Sequence, residues 1–549
     1  MSHGYSDGKT LNPSSNPTFE NVLTTRLSRR DLLKAGVASA IASSLPLSLA
    51  GCASAGLKRE GVLGFSAVPL SSADTVRVPA GYNVNTLLKW GDPIGHAAGS
   101  PAFKPDASNS AEEQALQAGM HHDGLHYFSL PLGSESSTSG IIALNNEYTD
   151  DGLLHTDGFA NWSAEKVRKA QNAHGVTIVE VRARGDQWEV VRPSRYARRI
   201  TARTPMTISD PAAGTPQMRT AADPSGREVL GTINNCAHGY TPWGTYLTCE
   251  ENWDSYFVNT GTLTPDQARN GLPPRGRGYR WDEFDERFDA GKHPNEPNRF
   301  GWVVEIDPYD PNSKPVKRTS LGRFSHEGAW YVTGDDGRVT VYQGDDRSFE
   351  YIYKFVTRDA WNPRERAANR DLLDHGTLYV ARFNDDGTGA WIALTHGQNG
   401  LTPANGFRDQ ADVLVRTRAS ADAVGATPMD RPEWIAVHPV TREVYCTLTN
   451  NAGRGSPKAR TMDAANPRAN NTFGHIIRWR EEGKDPAVVA FKWDIFALAG
   501  DPKHKNPNKR GTACPRSSRP LTRLPNVIAT PLTSGGNVSV TNASRRLSG

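Results

Sequence analysis

Short apolar runs rich in valine, isoleucine, tyrosine and tryptophan recur along most of this chain, with turn-forming residues between them. The clearest runs cover residues 140–146, 176–181, 244–249, 301–307, 339–346, 376–383 and 443–450. Runs of this length bounded by glycine, aspartate, asparagine and proline are typical of β-strands. Since long helical periodicity is scarce between them, we expect an all-β fold.

The repetition of these runs restricts the all-β architectures that the chain can adopt. Two of them begin with the same Gly-Thr pair, at residues 244–245 and 376–377. Short strands repeated with turn punctuation favour a β-propeller, and a large β-sandwich is the alternative. Short helices are predicted at residues 111–118 and 162–173. The stretch 264–299, rich in proline, glycine and charge, is interpreted as a surface insertion.

The leader carries an export motif. Residues 28–34 read Ser-Arg-Arg-Asp-Leu-Leu-Lys, and an apolar stretch follows them. This pattern is typical of a twin-arginine signal. The twin-arginine translocase carries folded proteins, often with a cofactor in place, so we expect a folded, cofactor-bearing protein that is periplasmic or secreted. The apolar stretch is too short for a spanning helix, which needs about 20 apolar residues.

The leader ends in a candidate lipid-attachment site. Residues 49–52 read Leu-Ala-Gly-Cys, which has the form of a lipoprotein cleavage box with Cys52 as the lipidated residue. The alternative is ordinary cleavage after the small residues at 53–55. We therefore expect a leader over residues 1–55 and a large domain over 56–511.

The last part of the chain has a different composition. Asp501 is its last acidic residue, and residues 502–549 contain no tryptophan, tyrosine or phenylalanine. A segment of this kind buries too little apolar surface to pay its ordering entropy. We expect residues 512–549 to be a disordered tail and the last blade of a propeller to be incomplete.

Charge and cysteine content exclude other classes of protein. The 549-residue chain has a formal net charge of only +4, and no basic patch is interleaved with aromatic residues. A nucleic-acid partner is therefore not expected. Besides Cys52, the chain has four cysteines, Cys236, Cys249, Cys446 and Cys514, without the spacing of a disulfide framework.

Four acidic motifs stand at the ends of apolar runs or beside predicted turns. They contribute Glu147, Glu250, Glu327 and Glu433, which lie far apart in the chain. In a propeller they fall on different blades, whose inner strands converge on the axis. Converging carboxylates repel one another, and bound cations are the usual compensation. Oxygen ligands favour Ca²⁺, whereas carboxylates with a thiolate admit iron.

Other residues near these motifs leave alternatives open. Cys249 precedes two glutamates and is either a metal ligand or inert packing. Arg431 offers a fork suited to phosphate oxygens, or pairs with Asp430 or Glu433. Residues 119–124 (Gly-Met-His-His-Asp-Gly) supply ligands or cap a turn. Residues 335–337 and 345–346 are interpreted as turn residues.

Several of these motifs, taken in order, resemble the PhoX-type alkaline phosphatases. They are residues 119–124, 144–148, 241–252, 324–329, 342–346 and 431–434. The resemblance covers roughly residues 61–510. It implies a six-bladed β-propeller that hydrolyses phosphate monoesters as a monomer. It also implies an axial cluster of two ferric and three calcium ions.

The resemblance also implies roles for individual residues. Cys249 resembles the thiolate that bridges the iron ions, and Arg431 the residue that grips the substrate phosphate. The carboxylates that resemble metal ligands are Glu147, Glu250, Glu327 and Glu433.

One segment departs from the family pattern. Residues 506–511 (Asn-Pro-Asn-Lys-Arg-Gly) lead into the acid-free tail, where the family continues with further aspartate ligands and the last blade. This resembles a truncation or a frameshift and predicts impaired activity. The rival functions are a calcium-dependent propeller hydrolase of lactones or esters and a metal-binding propeller without activity.

Overall fold

The fold of the described chain is built from β-sheets, which confirms the all-β expectation. The structure, a computed structural model, describes residues 73–457, 460–511 and 537–539 together with Val68 and Ser71. The twin-arginine motif and Cys52 lie outside these residues.

Four antiparallel units make up most of the sheet structure in this part of the chain. Unit I contains β2 (His122–Ser129), β3 (Ser139–Asn146), β4 (Gly175–Arg184), β5 (Gln187–Val190) and β6 (Arg198–Ile200). Unit II contains β9 (Asn235–Tyr240), β10 (Tyr246–Glu250), β11 (Val303–Ile306) and β12 (Val316–Arg318), and is extended by β7 (Pro205–Ile208) and β8 (Glu228–Leu230).

Units III and IV are likewise series of consecutive antiparallel strands. Unit III contains β13 (His326–Thr333), β14 (Arg338–Asp345), β15 (Ile352–Ala360), β16 (Gly376–Phe383) and β17 (Thr388–Ala393). Unit IV contains β18 (Pro432–Val437), β19 (Val444–Leu448), β20 (His475–Glu481) and β21 (Ala490–Leu498). Each of the seven apolar runs singled out in the sequence overlaps one of these strands.

The first strands of the four units are neighbours. Strand β2 packs on β9, β9 on β13, and β13 on β18. A single parallel bridge, Ala329 to Gly239, joins β13 to β9. Inner strands packed in this way are typical of propeller blades, and they bring the starts of four distant strands together. The closed ring of six blades stays a prediction.

The cores lie between the units. One apolar cluster joins units III and IV through Trp391, Ile435, Trp479 and Phe491, which are 0–3% exposed. Burying side chains of this size contributes roughly 2 kcal/mol each and fixes the spacing of the inner strands.

Helices are short in the described chain. Their bounds are α1 (Ala111–Gln114), α2 (Asp151–Leu154), α3 (Ala164–Ala173), α4 (Pro265–Arg269), α5 (Gln410–Val415) and α6 (Thr417–Ala423). Further 3-10 turns lie at Pro216–Met218, Trp253–Tyr256, Trp281–Glu283, Glu286–Phe288, Glu296–Arg299, Thr319–Leu321, Arg366–Asn369, Leu372–Asp374, Pro403–Asn405, Glu482–Lys484 and Pro507–Lys509. Both predicted helices are present and shorter than expected. No helix among the described residues is long and apolar enough to cross a bilayer.

The segment 264–299 differs from the surface insertion that its composition predicts. Trp281 and Phe288 are fully buried, and both contact Phe257 or Tyr256 of the core. Because the segment is polar on average, its composition does not indicate that these two aromatic side chains are buried.

The predicted tail contributes one short strand. Strand β22 (Asn537–Ser539) pairs in parallel with β1 (Asn83–Asn85). The predicted disorder of the other tail residues concerns positions that the structure does not describe. The three cysteines that it does describe, Cys236, Cys249 and Cys446, are free.

Candidate metal centre

Acidic side chains and one thiol converge where the inner strands begin. Ligand atoms of Asp123, Glu147 and Cys236 lie within 4.8 Å of one another, and so do those of Cys236, Glu251 and Glu327. Cys236 belongs to both groups. We call these five residues the acidic cluster.

The inner strands place these groups directly. Asp123 lies on β2, Cys236 on β9 and Glu327 on β13. The Cys236 Sγ is 3.3 Å from Asp123 Oδ2 and 3.2 Å from Glu327 Oε1. A register shift follows Glu327, at Gly328 with its φ of +88°, where a side chain would be strained. Such bulges re-aim side chains near functional sites.

Asn145 holds the strand that carries the thiol. Its Nδ2 donates to the carbonyls of Cys236 at 2.6 Å and Ala237 at 2.9 Å. The hydroxyls of Tyr246 and Thr248 donate to its Oδ1. All hydrogen-bonding groups of this buried amide are therefore used to hold β9 and β10 of unit II against β3 of unit I.

Burial and mutual repulsion disfavour ionisation throughout the cluster. Burial, followed by the charge of Asp346, raises the pKa of Glu251 to about 8. Burial, followed by Glu251 and Asp346, raises the pKa of Glu327 well above its usual range. Burial raises the pKa of the Cys236 thiol, and Glu327 raises it further. Burial, followed by the charges of Glu251 and Asp123, raises the pKa of Glu147 well above its usual range.

This arrangement fits bound cations. Packing four carboxyl groups and a thiol together is costly unless positive charge compensates them. Nearby, the buried Oδ1 of Asp346 has no hydrogen-bond partner among the described residues. Carboxylates with one thiol are donors for both hard cations and iron. The residues present therefore suit a metal cluster.

Arg431 borders the cluster on a strained backbone. Its φ is +60°, which is unusual for a residue with a side chain. Its Nη2 lies 2.5 Å from Asp346 Oδ2, and its side chain is 33% exposed. The partner is thus neither Asp430 nor Glu433, the two alternatives considered from the sequence. Solvent reaches the guanidinium.

Glu433 adjoins the cluster on β18. Burial, followed by the charge of Asp346, raises its pKa to about 7. Its own charge contributes to the raised pKa of Glu327. Of the residues predicted as ligands, the structure brings together Glu147, Glu327 and Glu433.

Glu250 does not join them. Its Oε1 accepts from Lys317 Nζ at 2.7 Å, and both side chains are fully buried. Its Oε2 accepts from the backbone N–H groups of Gly301 and Trp302 at 2.8 and 3.1 Å. With both oxygens engaged by protein donors, this carboxylate suits a structural role better than the predicted ligand role.

Cys249 also lies elsewhere. It is fully buried in an apolar cluster with Leu247, Val303 and Phe324. Burial, followed by the charge of Glu327, raises the pKa of its thiol well above the usual range. Among the described residues, Cys249 belongs to neither group that could hold a metal ion. Its surroundings favour packing over the predicted bridging role.

Sequence reasoning missed Cys236, Glu251 and Asp346, and left Asp123 open between a ligand and a turn. A register shift between Thr248 and Glu250 in β10 changes which residues face the acidic cluster, and strand alternation alone cannot reveal it. One signal was present. Two asparagines precede Cys236, as two asparagines precede Glu147.

Comparisons with known proteins match this chain to one family. The family model of alkaline phosphatase PhoX matches residues 63–532. A solved structure, Pseudomonas fluorescens PhoX in complex with vanadate, a transition state analogue, is 49% identical with a TM-score of 0.79. The match covers 82% of this chain and 78% of that chain. Curated proteins gave no significant match.

Proposed function

Because this chain belongs to the PhoX family of alkaline phosphatases, it is a phosphoric monoester hydrolase, and we propose that it works through cations held by the acidic cluster. The observation that carries the proposal is the Cys236 thiol, which lies 3.2–3.3 Å from carboxylate oxygens on two other strands. Geometry of this kind supports Cys236, rather than Cys249, as the thiolate ligand.

The metal identities are part of the proposal. Two ferric and three calcium ions, as in the family pattern, suit the thiol and the surrounding carboxylates. The residues that would hold them are Asp123, Glu147, Cys236, Glu251 and Glu327, with Asp346 and Glu433 beside them. Bound cations supply Lewis acidity and offset the negative charge of the phosphoryl group.

Arg431 is proposed to bind the substrate phosphate. Its guanidinium is always charged and offers five N–H donors, of which Asp346 engages one nitrogen. The remaining donors match phosphate oxygens in a bidentate geometry. Since the side chain is one-third exposed, a phosphate monoester in solution can reach it.

The wider architecture and the route of export complete the proposal. Four units of four to six strands, with adjacent inner strands, support a propeller of six blades with the cluster on its axis. We also propose that the chain is exported folded through the twin-arginine route as a monomer, to the periplasm or beyond, with Cys52 as a lipid anchor. The motif at residues 28–34 supports export.

The test compares two buried glutamates. Glu327→Gln removes a charge from the cluster, whereas Glu481→Gln changes an equally buried carboxyl, bonded to Tyr342, outside it. We expect Glu327→Gln to lower iron and calcium content and hydrolysis of p-nitrophenyl phosphate at least tenfold. Glu481→Gln should keep both. Equal metal content and rates in the two variants would contradict the proposal.

A further inference from the structure

The backbone conformation of Arg431 is strained, so contacts from outside β18 must stabilise it. A left-handed φ costs a non-glycine residue roughly 1–2 kcal/mol, and the proline that follows restricts Arg431 further. Conformations of this kind persist only where surrounding structure over-determines them. The residues around Arg431 therefore decide where its guanidinium stands.

Asp430 supplies an anchor immediately before the strained residue. Its side chain is fully buried. Its Oδ1 accepts from Arg454 Nε at 2.8 Å and its Oδ2 from Asn471 Nδ2 at 2.9 Å. Both donors are almost completely buried as well, with exposures of 1% and 2%. Each oxygen of the carboxylate is thus held by a separate donor.

The two donors are themselves fixed. Arg454 Nη2 donates to the carbonyl of Pro428 at 2.7 Å, and its guanidinium lies 4.9 Å from the ring centroid of Phe349. The backbone N–H groups of Asn451 and Asn471 donate to each other's carbonyls. The loop after β19 is therefore clamped to the turn before β18.

The backbone on either side of Asp430 is held too. Met429 exchanges hydrogen bonds with the segment at Phe349 and Glu350, each 2.8 Å long. The carbonyl of Arg431 accepts from the N–H of Thr449 at 3.3 Å. The backbone is thus hydrogen-bonded at Met429 and at Arg431, and the side chain of Asp430 between them is held as well.

We infer that Asp430, Arg454 and Asn471 form a positioning set that holds Arg431 in its phosphate-binding conformation. None of the three contacts the acidic cluster in the described hydrogen bonds; they act through the backbone of Arg431. The inference rests on the proposed role of Arg431 in binding phosphate. It goes beyond that role, since it assigns a function to three residues of the loop and turn.

The experiment measures inhibition by inorganic phosphate in the metal-loaded full chain. The single variants are Asn471→Ala and Asp430→Asn. The double variant Asp430→Asn/Asn471→Asp exchanges the two side chains and tests whether the restored pair recovers phosphate affinity. A control is Asp494→Asn, which removes a carboxylate from a partly exposed pair with Arg478 elsewhere in unit IV. Metal content and thermal stability are measured in every variant.

We expect both single variants to raise the phosphate inhibition constant and KM about tenfold, with metal content and kcat nearly unchanged. The exchange should recover part of the affinity. Asp494→Asn should lower stability without changing phosphate inhibition. If Asp430→Asn does not fold, Asn471→Ala decides.

Two outcomes overturn the inference, and they differ. If Arg431→Ala weakens phosphate inhibition but Asn471→Ala and Asp430→Asn do not, the positioning set is wrong and the proposed function stands. If Arg431→Ala itself leaves phosphate inhibition unchanged, the role of Arg431 fails and the inference fails with it.

Discussion

The two cysteines of unit II, Cys236 and Cys249, allow a matched test of the site. Cys236→Ala removes a thiol that lies between carboxylates of β2 and β13. Cys249→Ala removes one sulfur atom from an apolar cluster in the neighbouring strand. The same chemical change is thus made in two different environments.

The expected effects differ in kind. Cys249→Ala leaves a small cavity beside Phe324 and should lower the free energy of unfolding by about 1–2 kcal/mol, because one buried heavy atom is lost. Metal content and activity should be kept. Cys236→Ala should remove a shared ligand, lower iron content at least tenfold and lower activity about a hundredfold.

The assay combines metal analysis, the visible spectrum and p-nitrophenyl phosphate hydrolysis. A ferric–thiolate bond gives a charge-transfer band, which should vanish in Cys236→Ala and persist in Cys249→Ala. The opposite result, in which Cys249→Ala loses colour and iron, would refute our placement of the thiolate and restore the ligand predicted from the sequence.

Three further predictions rest on the structure, and a fourth rests on the export motif. Glu251→Gln should reduce metal content and activity. Glu250→Gln should chiefly destabilise the fold, by about 3–5 kcal/mol, because it leaves buried Lys317 without its charge partner. Thermal melts and metal analysis distinguish the two variants, and a metal loss confined to Glu250→Gln would contradict the assignment. Metal-free protein should lose stability as pH rises from about 4.5 to 8, because the pKa of Glu251 is about 8 in the folded state and lower in the unfolded state, so the folded state holds the proton more tightly. The loss of unfolding free energy should be a few kcal/mol, on the order of the pKa shift, and should shrink when calcium is added. A melting temperature that does not change with pH would count against this prediction. Arg431→Ala should weaken phosphate inhibition with little change in metal content, and unchanged inhibition would mean that Arg431 serves only to pair with Asp346. Replacing both arginines of the pair at residues 29–30 with lysine should leave the protein in the cytoplasm, as cell fractionation would show, and normal export of that variant would exclude the twin-arginine route.

The sequence predicts the strands well because each is a local pattern. Valine- and tyrosine-rich runs between turn residues are sufficient to mark β3, β14 and β19. Two acidic motifs likewise mark Glu147 and Glu327, which the structure brings to the cluster.

The remaining site residues depend on contacts that local patterns do not encode. Strand alternation could not choose between Glu250 and Glu251, because the choice depends on the register shift in β10. Asp346 follows directly after β14, where an aspartate usually serves a turn, and only its distant partner Arg431 distinguishes it. Cys236 has no acidic neighbour in sequence, and its carboxylate partners come from other strands.

The central claim, that the acidic cluster holds catalytic cations, is tested most directly by anomalous diffraction at the iron edge on crystals of active protein. We expect an iron peak within bonding distance of Cys236 Sγ, with Glu327 as a further ligand. An active enzyme whose cluster contains no anomalous peak, or whose iron binds at Cys249, would contradict it.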